Sequence, residues 1–380
     1  MVSMMPTENV HNYSCKENNH IRSEYPLNAL YFYLTSSCNL RCKHCWINSN
    51  LAGLNNNNDI LNFQLLQSII EEAFPLGLSW IKLTGGEPLL HVDIVKILQY
   101  LSELKIGINL ETNGTLVTPE ISNLISKCEK PFVSVSLDGM EAITHEWLRG
   151  VRGCFQSTLT GIRNLVNAGI NPQIILTVTK RNYENIEDFI DFSEKIGANS
   201  VKINILQPSG RGKNFQHSKD ILTISEYIQL GNLIEEQIAL ETNIPVFYSH
   251  PPAFRPLSRI YACNSVNCDA CGILGIIGVL STGKYALCGA GITEPDLILG
   301  DSLKDKLANV WQFNPLLLKI RSGLPDFLQG ICSECGLKNY CLGSCIAQNY
   351  IKSQSIWAPY WYCNEADHNG LFPKDRLFPK

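Results

Sequence analysis

The chain has 380 residues, 45% hydrophobic and 17% charged, with a formal net charge of −4. That is enough apolar material for a substantial core in about two domains, and an acidic balance without any basic run excludes a general nucleic-acid binder. Fifteen cysteines in a chain this long do not describe a small disulfide scaffold; their tight clusters indicate metal ligation in a reducing compartment, the cytoplasm.

Residues 1–28 are polar, Asn-rich and without periodicity, which predicts a flexible tail in which Cys15 is a bystander. No apolar run approaches the ~18 residues of a membrane span, and no secretory signal pattern opens the chain. From residue 30 the pattern alternates. Apolar, strand-like runs fall at 30–35, 80–84, 106–111, 132–137, 173–178 and 201–206, with amphipathic helical patterns between them. Leu61, Leu65, Leu66, Ile69, Ile70 and Ala73 share one face of the first helix, with Asp59 as its expected N-cap. Ile186, Phe189, Ile190, Ser193 and Ile196 do the same for the fifth. Repeating βα units of about thirty residues imply an α/β fold with a parallel sheet and outer helices, and six of them fit a partial (β/α)6 TIM-like barrel over 29–245. Two more units, which full closure needs, are not recognisable.

The asparagine run at 55–58 reads as a solvated loop, and 208–213 as a turn-rich exit from the sixth strand. A long helical pattern over 225–242 leads to a proline-rich linker at Pro251, Pro252 and Pro256. Residues 246–380 then change character: cysteine-dense, with short hairpins and helices.

The chemistry concentrates after the first strand, where Cys38, Cys42 and Cys45 stand at Cys-x3-Cys-x2-Cys spacing. Thiolates select zinc, copper(I) or iron–sulfur clusters, and a structural zinc wants four closed ligands. Three thiols on one loop suit a [4Fe–4S] cluster with one iron left open; a zinc knuckle is the competing reading. With His44 before the third cysteine, the triplet resembles the signature of radical SAM enzymes. That resemblance implies that the open iron takes the amino and carboxylate groups of S-adenosylmethionine, whose reductive cleavage yields a 5′-deoxyadenosyl radical.

Further motifs fit the resemblance. Gly85-Gly86-Glu87-Pro88 follows the second strand, at the end where barrels of this kind place their sites, and resembles the family motif that meets the methionyl amino group. By the same resemblance Asn113, Ser136, Asp138 and Arg149 contact the cofactor, Arg149 near its carboxylate, and Leu206 packs on the adenine. An ordinary Asn-Gly turn at Asn113, a surface role for Arg149 and core packing for Leu206 stay open. Cys128 and Cys154 read as buried hydrophobes.

In the second half, Cys271-x11-Gly283-x4-Cys288 precedes Cys332-x2-Cys335-x5-Cys341-x3-Cys345 and then Cys363. This array resembles the SPASM extension of radical SAM proteins, with a zinc ribbon on Cys332, Cys335, Cys341 and Cys345 as the alternative. The resemblance implies two auxiliary [4Fe–4S] clusters, making three in all. Cys332, Cys335, Cys341 and Cys363 hold one; Cys271, Cys288 and Cys345 hold the other with Cys263 or Cys268. Sulfatase-maturing members carry an acid after the Cys288 equivalent; Gly289 stands there, which disfavours formylglycine formation.

The C-terminal strings around Cys345–Tyr350 and Gly370–Pro373 resemble maturases of ribosomally made peptides with Nif11-type or proteusin leaders. The resemblance implies a precursor peptide with a leader as substrate, a ferredoxin or flavodoxin as reductant, and backbone splicing or crosslinking as chemistry. Epimerisation, or a small-molecule substrate such as a tetrapyrrole, is the alternative. The stretch before residue 30 is shorter than the ~40–60 residues of a folded domain, so a separate small leader-recognition protein, or direct leader binding, is expected.

Overall fold

The computed structural model describes residues 25–51, 60–215, 217–261 and 271–379. Residues 1–24 of the expected tail, with Cys15, the asparagine run, the expected cap Asp59, and Cys263 and Cys268 lie outside the described residues; residues 25–28 are no flexible tail, since Leu27 is fully buried in the core and its amide donates to Leu76 O at 2.9 Å.

Twelve strands are present among them: β1 (Ala29–Tyr33), β2 (Ser37–Cys38), β3 (Asn50–Leu51), β4 (Trp80–Thr84), β5 (Gly107–Thr112), β6 (Pro131–Ser136), β7 (Gln173–Thr177), β8 (Ser200–Asn204), β9 (Val246–Tyr248), β10 (Ile276–Val279), β11 (Lys284–Ala286) and β12 (Ile298–Asp301). Ten form one sheet in the order β12-β11-β10-β1-β4-β5-β6-β7-β8-β9. All neighbours from β10 to β9 run parallel, while β11 and β12 return as an antiparallel hairpin edge. The outer helices are α1 (Phe63–Ala73), α2 (Ile94–Glu103), α3 (Pro119–Ile125), α4 (Ala142–Arg149), α5 (Cys154–Asn167) and α6 (Ile186–Lys195).

The period-2 pattern of each strand decides which face meets the helices. Leu30, Phe32, Ile81, Leu83, Ile108, Leu110, Ile174, Leu176, Val201 and Ile203 are 0% exposed, and they form one core with Leu66, Ile69 and Ile70 of α1 and Ile97, Leu98 and Leu101 of α2. Helix α1 starts later than its periodicity suggests, because the Asn62 side chain accepts the Leu65 amide at 3.0 Å and caps it there; Leu61 therefore precedes the helix.

The six expected βα units form the body of an α/β partial barrel, followed by a C-terminal region of cysteines, short strands and helices. The sheet is longer than those six units. Residues 246–248, at the expected boundary, add β9 beside β8, and β10 from the cysteine-rich region lies parallel to β1, with Ile277 opposite Leu30. Three-residue and four-residue strands are too short to carry a periodic signal, and only tertiary pairing identifies them. The C-terminal region is fastened at further points. The Leu307 amide donates to Glu72 at 2.8 Å, and the indole of fully buried Trp311 donates to the Tyr25 carbonyl at 2.8 Å.

Because β10 belongs to the barrel sheet, the two regions should unfold together. Ile277, 0% exposed, is the probe: Ile277→Ala should cost about 2–5 kcal/mol and shift one cooperative transition in chemical denaturation. A separate second transition for the C-terminal region would contradict the shared sheet.

Candidate active site

The three cysteines of the first cluster occupy the loop between β1 and β3, at the C-terminal end of β1 where the loops of a βα barrel converge. Little of this loop is regular, so its backbone groups need partners elsewhere. The loop after β4 supplies two: the Gly86 amide donates to Thr35 O at 2.8 Å and the Glu87 amide to Ser37 O at 2.9 Å. The end of α4 accepts two more, Arg41 N to Arg149 O at 3.0 Å and Lys43 N to Leu148 O at 2.9 Å. These approaches explain the glycines. A Cβ on Gly85 would stand 2.6 Å from Thr35 O, and one on Gly86 would stand 2.1 Å from Ser37 O. The close approach they permit is to the cysteine loop itself.

Glu87 is 1% exposed, and its carboxylate accepts from Thr112 Oγ1 at 2.6 Å, the Asn113 amide at 2.8 Å and the Leu89 amide at 3.2 Å. Burial pushes it up to about 7 against those bonds. Pro88 starts the short helical turn that follows. Asn113 is held by Asn39, donating to its Oδ1 at 2.8 Å, and its Nδ2 lies 3.9 Å from Cys38 Sγ. Glu87 and Asn113 thus tie the ends of β4 and β5 to the cysteine loop.

On the other side, Arg149 Nε donates to Asp138 Oδ2 at 2.6 Å while its Nη1 lies 3.8 Å from Cys42 Sγ. Asp138 is fully buried and also accepts the Thr177 amide at 3.0 Å. Burial acts to raise its carboxyl, yet the Arg149 charge, with the Thr177 amide bond, holds it below the ordinary value. Arg149 is therefore no surface arginine: it carries positive charge from the Asp138 pair to a cysteine sulfur. His44 is held neutral, down to about 3, chiefly by burial and then by Arg149, and its Nδ1 has no partner among the described residues. Ser136 ends β6, half-buried. Leu206 packs with Leu148 and Phe215 in a small apolar cluster. Cys154 packs against Cys38, Leu40 and Cys42, whereas Cys128 lies among the helices, its thiol directed to Leu98 O and Leu124 O.

Sequence reasoning passed over Arg211. Its amide donates to Cys45 O at 2.8 Å, its Nε to Cys42 O at 2.7 Å and its Nη1 to Ser49 O at 2.9 Å. The preceding Gly210, at φ +54, runs so close that a Cβ would meet Trp46 O at 2.4 Å. The available signal was an arginine between two glycines at a strand exit, a pattern that a plain turn also produces.

The remaining thiols gather in two places. Cys332, Cys335, Cys341 and Cys363 line one cavity with Ala253, Leu328 and Phe372, and the first three all act to raise Cys363 after burial itself. Cys345 stands instead with Cys271 and Cys288: the Cys271 thiol is raised by burial first, then by Cys345 and Cys288. Tyr360, raised by burial and then by Cys345, Cys363 and Cys341, lies between the two sets. Burial pushes Cys38, Cys288 and Cys341 each up to about 12, so these thiols become thiolates only with a cation to pair them. Among the described residues no three His, Cys, Asp or Glu side chains close on a point as a single metal ion requires.

Gly289 follows Cys288 and donates its amide to Tyr33 Oη at 2.8 Å. A Cβ there would stand 2.4 Å from Tyr33 Oη and 2.5 Å from the Trp46 ring, so an acidic side chain has no room at this position. Tyr33 also packs edge-on to Trp46 of the first cysteine loop at 6.4 Å between ring centroids, bringing the two thiol sites against one aromatic wall.

Residues 32–194 match the radical SAM superfamily. Over 346 residues the chain is 29% identical to the AdoMet-dependent heme synthase of Methanosarcina barkeri, covering 87% of this chain and 94% of that protein. It is 27% identical over 356 residues to the mycofactocin maturase MftC of Mycolicibacterium smegmatis, covering 93% and 86% respectively. Among solved structures it shares its fold with Streptococcus suis SuiB bound to S-adenosylmethionine, at a TM-score of 0.70 and 22% identity over 89% of this chain and 77% of that one; SuiB has also been solved with its precursor peptide SuiA.

The raised carboxyl of Glu87 gives a pH signature. A group at 4.5 in the unfolded chain and about 7 in the fold keeps its proton longer when folded, so its contribution to stability falls as pH rises through that window. Glu87→Gln loses this slope and replaces one acceptor oxygen by an amide NH2, leaving at least one of its three donors unmatched, at a cost of ~1–3 kcal/mol. Its deficit against the wild type, read by urea unfolding, should therefore be larger near about pH 5 than near about pH 8; a deficit that widens with pH contradicts the assignment.

Proposed function

For an enzyme of the radical SAM superfamily, with its domain at residues 32–194, we propose the role of a peptide maturase acting on a ribosomally made precursor. The observation that carries this reading is the gathering of three thiol sets around one open, parallel-stranded barrel, in a chain similar to MftC over 93% of its length and sharing the fold of SuiB. Cys38, Cys42 and Cys45 would hold a [4Fe–4S] cluster that, with S-adenosylmethionine, would supply radical hydrogen-abstraction chemistry.

The residues around the site bind, orient and exclude water. Gly85, Gly86, Glu87 and Pro88 shape the rim that receives the methionyl end of the cofactor. Asn113, Ser136 and Asp138 stand on the neighbouring strand ends, and His44 stands in the cysteine loop. Arg149 places positive charge beside Cys42, which favours its thiolate and an incoming carboxylate. Leu206 offers apolar surface behind them.

Cys332, Cys335, Cys341 and Cys363 are proposed ligands of one auxiliary cluster. Cys271, Cys288 and Cys345, completed by Cys263 or Cys268, are proposed for the other. Two such groups favour an oxidative or rearranging outcome, a crosslink or excision to a β-amino acid, over epimerisation, because a removed electron needs an acceptor. A flavodoxin or ferredoxin as reductant, a separate leader-recognition protein and a cytoplasmic location complete the reading. No described helix is long and apolar enough to cross a membrane. A second reading, a small tetrapyrrole substrate, is favoured by the 29% identity to heme synthase over 87% of the chain.

Co-expression with short peptides encoded next to its gene, where such genes are found, followed by mass spectrometry, separates these readings. Loss of two hydrogens indicates a crosslink, unchanged mass with deuterium uptake an epimer, and a large loss an excision. Cys42→Ala should abolish any of them. Unmodified peptides together with turnover of a free porphyrin would reject the peptide reading.

A further inference from the structure

The interior of a closed βα barrel is ordinarily filled by branched apolar side chains. Here the inner face carries charge. Ile81, Leu83, Leu110, Val201 and Ile203 are 0% exposed against the helices, so the residues alternating with them, Lys82, Glu111 and Lys202, project to the other face. Lys82 Nζ and Glu111 Oε1 lie 2.5 Å apart, yet the side chains keep 19% and 37% of their exposure. A close ion pair that stays wet at mid-strand marks the floor of an open cleft.

The charges do not balance. Glu111 also accepts from Thr84 Oγ1 at 3.4 Å, and Lys82 lies 4.9 Å above the Tyr31 ring, so this pair is satisfied. Lys202 stands on β8, three strands along from β5. It reaches Glu111 only through its field, as a secondary influence that helps hold the carboxyl low against burial. It has no ion-pair partner among the described residues. The wall therefore carries one uncompensated, half-buried ammonium, an arrangement that costs free energy until an anion arrives. Lys82 also lies close enough to act on Cys271 and Cys288, so the cleft floor runs beside the second thiol set.

We propose that Lys202 is a specificity-determining residue that anchors a carboxylate of the substrate against the inner wall, beside the self-neutralised Lys82–Glu111 pair. One net positive charge suits a singly charged carboxylate. The proposal rests on the reading that the substrate enters the barrel from this face, and the same chemistry serves a glutamyl side chain, a peptide C-terminus or the propionate of a small molecule.

The test is calorimetric, on anaerobically reconstituted full-length protein with S-adenosylmethionine, using three acid and neutral pairs: acetyl-Gly-Glu-Gly-amide against its Gln counterpart, acetyl-triglycine acid against its amide, and a porphyrin tetracarboxylate against its tetra-amide. At least one acid should bind about tenfold tighter than its neutral partner, the effect of one charge-assisted contact. Lys202→Met should erase that preference, Lys202→Arg should keep it, and Lys195→Met, exposed on α6, should leave it unchanged. A preference confined to the porphyrin supports the carboxylate anchor while rejecting the peptide reading. Equal affinities within every pair, or a preference that survives Lys202→Met, overturns the anchor.

Discussion

The cysteine loop after β1 has almost no regular structure of its own, so its shape depends on hydrogen bonds supplied from other places. The β4 exit gives Gly86 and Glu87, the end of α4 gives the carbonyls of Leu148 and Arg149, and the β8 exit gives Arg211. A buried amide or carbonyl without a partner costs free energy on the order of 1–3 kcal/mol, so each such contact is also a constraint on where the thiols stand. This is why two of the glycines are tied to backbone: Gly86 and Gly210 lie where a single added carbon would collide with the loop's carbonyls. A site that must present three sulfurs with fixed separation is thereby built into the rigid frame of the barrel.

The same frame extends into the C-terminal region. Strand β10 continues the sheet next to β1, and the Cys288–Gly289 turn closes on Tyr33, a residue of β1 itself. The second thiol set is thus placed by the strand that also places the first. Tyr33, between Trp46 and Gly289, fills the space where an acid would have to stand. A steric fact accounts for the missing acid as directly as the sequence difference does.

Electrostatics divides the barrel into two zones. At the strand ends Asp138 and Arg149 neutralise each other and leave a guanidinium edge toward Cys42. Deeper on the inner face Lys82 and Glu111 do the same, leaving Lys202 uncompensated. The Asp138–Arg149 pair is buried and therefore costly to break, because removing one member strands the other's charge, whereas the Lys82–Glu111 pair keeps part of its exposure.

The alternation of strands and helices, the cysteine spacings and the Gly-Gly-Glu-Pro turn are local patterns, and they were legible from residue order because periodicity and ligand spacing are properties of neighbouring residues. Sequence alone therefore determined a parallel α/β barrel with thiol-bound chemistry at the end of its first strand and a cysteine-rich region after it. Only the tertiary structure decided that β9 and β10 join the sheet, and that Arg149 is buried rather than exposed. It also decided that Arg211 laces the cysteine loop and that Lys82 pairs with Glu111 across the inner wall. Each of those facts is a contact between residues far apart in the chain, and such contacts are set by packing and charge compensation in three dimensions, on which residue spacing carries no information.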